Sequence, residues 1–300
     1  MINNTRLPDG VIAASVTPLT SEYNIDHAAL AAHCHWLLAN GNNGICLMGT
    51  TGEASSFGID ERMKALESVV EAGVPPEKLI VGTGCCALTD TIRLTQHATA
   101  LNVGGVLVLP PFYYKQISEN GLIAYFSALI DATRSERLRI YLYHFPKMTG
   151  VPFSVSLVKR LVGIYPDTIV GMKDSGGDWE NMKTMSEAVP GFKLYAGTEK
   201  YLLDIIRIGG AGCISATTNL TGNLAADVYA AKDSVTADAL QEKLTKARLA
   251  FEGLSFISGV KHVLAQQQPH VGWLNIRPPN SRLTSAEAAD LESRLSGISL

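Results

Sequence analysis

Residues 169–178 read Ile169-Val170-Gly171-Met172-Lys173-Asp174-Ser175-Gly176-Gly177-Asp178. An apolar run leads into a lysine, then into glycines, then into an aspartate suited to cap a helix. A run apolar on both faces that stops at a Gly-rich turn before a helix reads as a strand of a covered parallel sheet. The same unit recurs on either side of it. Strand-like runs occupy 11–16, 44–48, 79–81, 105–109, 139–143, 169–172, 193–196 and 212–215. Helical spacing fills the intervals at 26–39, 60–72, 89–101, 118–133, 154–165, 178–188, 200–208 and 220–231, several opening on a Ser, Thr or Asp cap. The first of these sets Leu30, Cys34, Leu37 and Leu38 on one face, and the second sets Met63, Leu66 and Val70.

Eight βα units in about 230 residues match a (β/α)8 barrel, whereas a doubly wound sheet would rarely string so many repeats together without a linker. The expected fold is α/β: a TIM (β/α)8 barrel over 1–233, with a C-terminal helical extension over 234–300 packed on it. The extension is helical at 235–252, 255–267 and 285–295, with a joint at Arg277-Pro278-Pro279. The 300 residues are 46% hydrophobic and 18% charged, which excludes a disordered or coiled-coil chain. A formal net charge of −3 offers no footprint for nucleic acid or an anionic membrane, so a small-molecule partner is expected. Two stretches without Asp, Glu, Lys or Arg, 94–114 and 208–226, are interrupted by Gly104-Gly105 with Pro110-Pro111 and by Gly209-Gly210 with a Ser215-Ala216-Thr217-Thr218-Asn219 run. Each reads as strand plus loop, not as a membrane span. The start, from Met1 to Asp9, has no apolar run behind a basic residue, and cytoplasmic residence is expected. The five cysteines, Cys34, Cys46, Cys85, Cys86 and Cys213, are odd in number and form no C-x-x-C, which fits reduced thiols.

In such a barrel the chemistry lies at the C-terminal ends of the strands. Lys173 is the last inward residue of the sixth run. Apolar walls disfavour a charged amine and so free the neutral nitrogen that attacks a ketone; a lysine closing a salt bridge at the rim is the other reading. Gly49-Thr50-Thr51-Gly52-Glu53 ends the second run, where glycines admit close approach and paired hydroxyls can cradle a carboxylate, or where a threonine simply caps an ordinary turn. In Tyr141-Leu142-Tyr143-His144-Phe145-Pro146, alternation sends Tyr141 and Tyr143 to one side, Tyr143 nearer the mouth, as a proton shuttle or as packing. Pro110-Pro111-Phe112-Tyr113-Tyr114-Lys115 carries phenols into a loop suited to a subunit contact or a lid.

Two motifs point elsewhere and fail on inspection. Gly82-Thr83-Gly84-Cys85-Cys86-Ala87 matches a dinucleotide fingerprint, yet the strand that follows carries no acid to hold a ribose, which disfavours an NAD-dependent oxidoreductase. His33-Cys34-His35 suggests a metal, but residues two apart on a helix face different ways.

Taken together these segments resemble the dihydrodipicolinate synthase and N-acetylneuraminate lyase family, the pyruvate-dependent class I aldolases. The resemblance runs through Ala14-Ser15-Val16-Thr17-Pro18-Leu19, Gly49 to Glu53, Pro111-Phe112-Tyr113-Tyr114, Tyr143-His144-Phe145-Pro146, Gly171-Met172-Lys173-Asp174, Gly209 to Ser215 and Arg277-Pro278-Pro279, nearly the whole chain. It implies a lyase with no metal and no organic cofactor, a covalent Schiff base with pyruvate on Lys173, and a homotetramer built as a dimer of dimers. Thr50 and Thr51, with Gly52, would hold the pyruvate carboxylate. Tyr143 would relay protons, Tyr113 would reach into the neighbouring subunit's site, and Gly197 and Ile214 would line the pocket.

One departure separates members of the family. Synthases of this family carry an arginine two residues after the Tyr-x-x-Pro proline; here that position is Met148, and the adjacent Lys147 is a point charge out of register with the missing fork. Pro146-Lys147-Met148-Thr149-Gly150 looks more like the sugar-acid aldolases and sialic acid lyases, with Ser175 where lyases use a hydroxyl against the cleaved substrate. Reversible aldol cleavage of a 2-keto-3-deoxy sugar acid is the expected reaction. The alternatives are condensation of pyruvate with aspartate semialdehyde, dehydration of a keto-deoxy sugar diacid, and a non-catalytic keto-acid sensor.

Overall fold

Each of the eight apolar runs forms a strand, with boundaries within two residues of those expected. The computed structural model describes residues 7–268 and 271–300; residues 1–6, part of the segment on which the expected location rests, lie outside the described residues. Among the described residues, β1 (Gly10–Ala14), β2 (Gly44–Leu47), β3 (Leu79–Gly82), β4 (Gly105–Val108), β5 (Ile140–His144), β6 (Ile169–Asp174), β7 (Lys193–Ala196) and β8 (Gly212–Ser215) close into a parallel barrel in sequence order. Pairing of Gly10 with Gly212 through Ala13 with Ser215 seals the ring. Gly212 has φ +141°, and a Cβ there would meet Gly10 O at 1.9 Å, so the seam requires a residue without a side chain.

Helices alternate with the strands, and four of their starts follow from caps in the sequence. The side chains of Asp26, Ser118, Ser154 and Asp178 accept hydrogen bonds from Ala29 N, Gly121 N, Leu157 N and Asn181 N, each typically worth about 1 kcal/mol. One helical face differs from expectation. Ile59–Glu71 buries Arg62, Ala65, Leu66 and Val69, while Met63 and Val70 are half-buried. Arg62 is drawn inward because it donates to Gly82 O at 2.7 Å and reaches Cys85 Sγ at 3.2 Å. A hydropathy pattern treats arginine as a surface residue and so rotates the face.

Strand alternation divides the core. Val11, Ala13, Ile140 and Leu142 point outward into the layer shared with the helices. Ile12, Cys46, Ile80, Leu107, Tyr141, Tyr143, Tyr195 and Ile214 point into the barrel. Between β5 and β6 the register slips: Ile140 pairs with Ile169, but Tyr141 pairs with Gly171, Tyr143 with Lys173 and His144 with Asp174. Val170 is therefore an extra residue, and from Gly171 onward β6 presents the opposite set of side chains to the interior.

Helices Ala237–Leu249, Phe256–Gln267 and Ser285–Leu295 follow the barrel. Phe251, Val260, Leu264, Trp273 and Leu291 pack with Val16 and Leu220 in one cluster, which fastens this region to the loop above β1 and to the helix Thr218–Ala230 after β8. No helix among the described residues is long and apolar enough to cross a membrane.

Candidate active site

Lys173 lies near the end of β6, only 5% exposed, in the wall of a cavity of about 670 Å³ at the C-terminal mouth of the barrel. Its Nζ stands 4.5 Å from the centroid of the Tyr143 ring, a consequence of the register that makes the two residues neighbours. Among the described residues it has no hydrogen bond or ion pair, so the rim salt bridge considered from the sequence is not formed. Tyr143 stacks on Phe145 at 5.7 Å, and its hydroxyl lies 3.4 Å from Thr50 Oγ1. Amine, phenol and threonine hydroxyl thus converge from β6, β5 and the loop after β2.

That loop is held from behind. Glu53 N donates to Thr50 O at 3.1 Å and Ala54 N to Gly49 O at 3.2 Å, closing a tight turn, and Glu53 itself has a left-handed φ of +59°. The Glu53 carboxylate is wholly buried, accepting from Lys261 Nζ and, at 2.9 Å, from Arg277 N. Lys261 also donates to Asn275 O at 2.9 Å. The C-terminal region therefore grips the threonine loop through a buried ion pair whose partners are 208 residues apart in sequence.

The wall opposite comes from β7 and β8. Gly197 N donates to Asp174 O at 2.6 Å, and a Cβ on Gly197 would fall 2.1 Å from Ser175 Oγ, so the site requires glycine there. Ser215, at the end of β8, donates to the buried Glu199, which also accepts from Thr217 and, at 2.9 Å, from Thr221. Arg248 Nε approaches the same carboxylate at 3.6 Å. Below Ser175, burial pushes the Asp174 carboxyl up and the neighbouring His144 imidazole down, each opposed by the charge of the other. Asp174 accepts from Gly176 N at 2.8 Å and Asn181 Nδ2 at 2.7 Å, which anchors the strand end.

Of the residues singled out from the sequence, Lys173, Tyr143, Thr50, Thr51, Ser175 and Gly197 share this one cavity, together with Lys147 and Met148. Gly52 accepts from Thr17 Oγ1 at 2.9 Å through its carbonyl and faces the loop after β1. Ile214 is fully buried inside the barrel. Tyr113 is 74% exposed, edge-on to Tyr114 at 5.4 Å, and is not part of the cavity wall. His33 and His35 diverge as helix geometry requires: His33 Nε2 lies 2.9 Å from Asn219 Oδ1, and His35 Nε2 lies 3.0 Å from Ala72 O. Sequence reading missed Glu199, Lys200, Arg248 and Lys261. A charged residue inside an otherwise apolar helical face was the available signal for Lys261, which is flanked by Val260, Val263 and Leu264.

The chain matches the model of the dihydrodipicolinate synthetase family over residues 7–298, and it belongs to that family. It is an enzyme of the lyase class, aldolase in type. Among its relatives, a DapA-like lyase of Chloroflexus aurantiacus is 38% identical over 74% of each chain. A 4-hydroxy-tetrahydrodipicolinate synthase of Acidiphilium cryptum is 31% identical over 97% of this chain and 98% of the relative. A solved structure of an E. coli K12 prophage protein of the dihydrodipicolinic acid synthase family, in complex with pyruvate, superposes with a TM-score of 0.88 at 27% identity, covering 97% of this chain and 98% of that one.

Proposed function

We propose that this enzyme cleaves a 2-keto-3-deoxy sugar acid, or a similar 4-hydroxy-2-oxo acid, reversibly to pyruvate and an aldehyde through a Schiff base on Lys173. The observation that carries the reading is the buried Lys173 amine, free of any ionic partner among the described residues and 4.5 Å from the Tyr143 ring in the cavity that Thr50 and Thr51 also line. Thr50 and Thr51 donate to the substrate carboxylate, aided by backbone N–H groups of the turn. The Nζ lone pair attacks the C2 carbonyl; Tyr143 gives its proton to the departing oxygen, which leaves as water, so that an iminium and a phenolate remain. The phenolate then takes the C4 hydroxyl proton as the C3–C4 bond breaks, the electron pair of that bond moving toward the iminium nitrogen to form a neutral enamine. The aldehyde departs, C3 regains a proton, and water returns pyruvate and the free amine. The iminium is the electron sink, so the sequence of steps calls on no metal and no organic cofactor. Phenol-mediated transfer contributes on the order of 10² to 10⁴ in rate.

Met148, exposed and on the cavity wall, favours a sugar acid over aspartate semialdehyde, since a thioether offers no donor to a second carboxylate. The relatives named 4-hydroxy-tetrahydrodipicolinate synthase keep that condensation as the second reading. Tyr113 and Tyr114, both 74% exposed beside the barrel mouth, fit a contact with a second subunit in a homotetramer.

The nucleophile is tested by incubation with pyruvate, borohydride reduction and intact mass. One pyruvyl adduct is expected, and it disappears in Lys173→Ala; a keto-acid sensor would gain nothing. Pyruvate release from keto-deoxy sugar acids is then compared with condensation on aspartate semialdehyde. Turnover in the semialdehyde reaction alone would overturn the reading of Met148.

A further inference from the structure

The cavity of about 670 Å³ far exceeds what a three-carbon acid fills, and its outer wall is built from the Ala237–Leu249 helix end and the loop that follows. Arg248 projects from that helix. Its side chain is 11% exposed and lines the cavity, with its guanidinium carbon 4.1 Å from the Phe256 ring centroid. Nε and Nη1 are buried and have no hydrogen-bond partner among the described residues. Glu199 is the nearest counter-charge, yet at 3.6 Å it is beyond hydrogen-bond reach, and its oxygens are occupied by the hydroxyls of Ser215, Thr217 and Thr221. Guanidinium does not shed its proton, so a desolvated fork with unused donors is unfavourable until an oxyanion arrives. Lys200 and Lys147 stand on the same wall, Lys200 with its Nζ 5.0 Å from the Tyr201 ring. The acids on that wall are Asp174, already bonded to Gly176 and Asn181, and the exposed Glu252. Arg248, Lys200 and Lys147 thus bring three cations to that wall, with Glu199, which is not on it, as the nearest counter-charge to Arg248.

We propose that Arg248, assisted by Lys200, binds a terminal oxyanion at the far end of the substrate, so that the preferred 2-oxo acid carries a second carboxylate or a phosphate ester remote from its keto group. The inference rests on the Schiff-base reading of Lys173 and narrows its substrate class. It places a fork of donors for a distal acid on the C-terminal helices, where Met148 in the loop after β5 offers none. Arg248 would contact substrate and set specificity, with no part in the bond-breaking step.

The test uses three six-carbon acids of one skeleton: 2-keto-3-deoxygluconate, whose tail is a neutral alcohol, its 6-phosphate ester, and its counterpart oxidised to a carboxylate at C6. Each is titrated against the full chain under borohydride, and the concentration giving half-maximal adduct is read by intact mass, which records capture on Lys173 whether or not cleavage follows. Pyruvate is the control. Wild type is expected to capture at least one anionic-tail acid at a concentration about 10- to 100-fold below that for the neutral one, the scale of a charge-assisted bond in a desolvated site. The arm captured at lower concentration identifies carboxylate or phosphate. Arg248→Gln should erase most of that preference and leave pyruvate capture within about twofold, Arg248→Lys should retain part of it, and Lys200→Gln should weaken it about two- to fivefold. A guanidinium that merely neutralises Glu199 would not produce a tail-dependent difference. Equal capture of all three acids by wild type, no capture of any of them beside normal pyruvate capture, or an Arg248→Gln effect that is absent or uniform across the three overturns the proposal. If pyruvate itself leaves no adduct, the Schiff-base reading fails and this inference falls with it.

Discussion

Among the described residues two lysines are buried, one in the barrel wall and one in a C-terminal helix, and they are handled in opposite ways. Lys261, inaccessible to solvent, is paired with Glu53 and bonded to Asn275 O; burial pulls its pKa down while the Glu53 charge pushes back. Lys173, 5% exposed, faces an aromatic ring and a cavity with no anion bonded to it. A buried cation with its counter-ion is locked into the architecture, because breaking the pair strands a charge in a poor solvent. A buried amine with none is available to form a bond. The distinction between structural and reactive lysine lies in what stands opposite, since both sit in short apolar surroundings at the same end of the barrel.

Exchange of each lysine should separate the two roles. Lys173→Ala is expected to lower turnover by roughly 10⁶, the scale of deleting a nucleophile, while the unfolding free energy from urea titration stays within about 1 kcal/mol of wild type because no pair is broken. Lys261→Met should act the other way round, destabilising by about 3–5 kcal/mol through the stranded Glu53 carboxylate, a drop on the order of 10 °C in Tm by calorimetry. Pairing it with Glu53→Leu should recover most of that loss; a double variant as unstable as the single one would break the comparison. Tyr143→Phe keeps the ring beside Lys173 and removes the hydroxyl, so borohydride capture of pyruvate should persist while kcat falls about 10²- to 10⁴-fold.

His33 is a third buried basic group and meets the problem by staying neutral. Burial holds its imidazole pKa down at about 4 against an ordinary 6.5. The unfolded chain takes up a proton below pH 6.5 that the folded chain refuses until about 4, so this contribution is complete above pH 6.5 and is lost as pH falls toward 4. Urea unfolding across that window should show a decline of up to about 3 kcal/mol, and His33→Gln should flatten the slope.

The strands, their order and the position of Lys173 were legible in the sequence because each depends on neighbours only a few residues away: apolar runs bounded by glycine, caps, and a lysine ending a strand. The cluster of Thr50, Thr51, Tyr143 and Lys173 followed once the barrel was assumed, since the fold sends every strand end to one mouth. Glu53 was in view inside its motif, but its partner was not, for nothing local marks a residue 208 positions away as its counter-ion. Glu199 and Arg248 were hidden for the same reason, their surroundings being assembled from β7, β8 and the C-terminal helices. Arg62 was lost because its burial is driven by a carbonyl on another strand and not by hydropathy.

The unmatched Val170 between β5 and β6 sets the handedness of everything above it. Were the two strands to pair without a skip, Tyr143 would sit beside Met172, and the lysine amine would emerge among the surrounding helices with no ketone in reach. The capacity for covalent chemistry thus hangs on a parity: one surplus residue makes the count of peptide units even where the reaction needs it to be. Drawing that residue into the regular ladder, so that Tyr141 paired with Val170, would invert the strand end like a turned card, leaving a barrel of unchanged outline that is chemically inert.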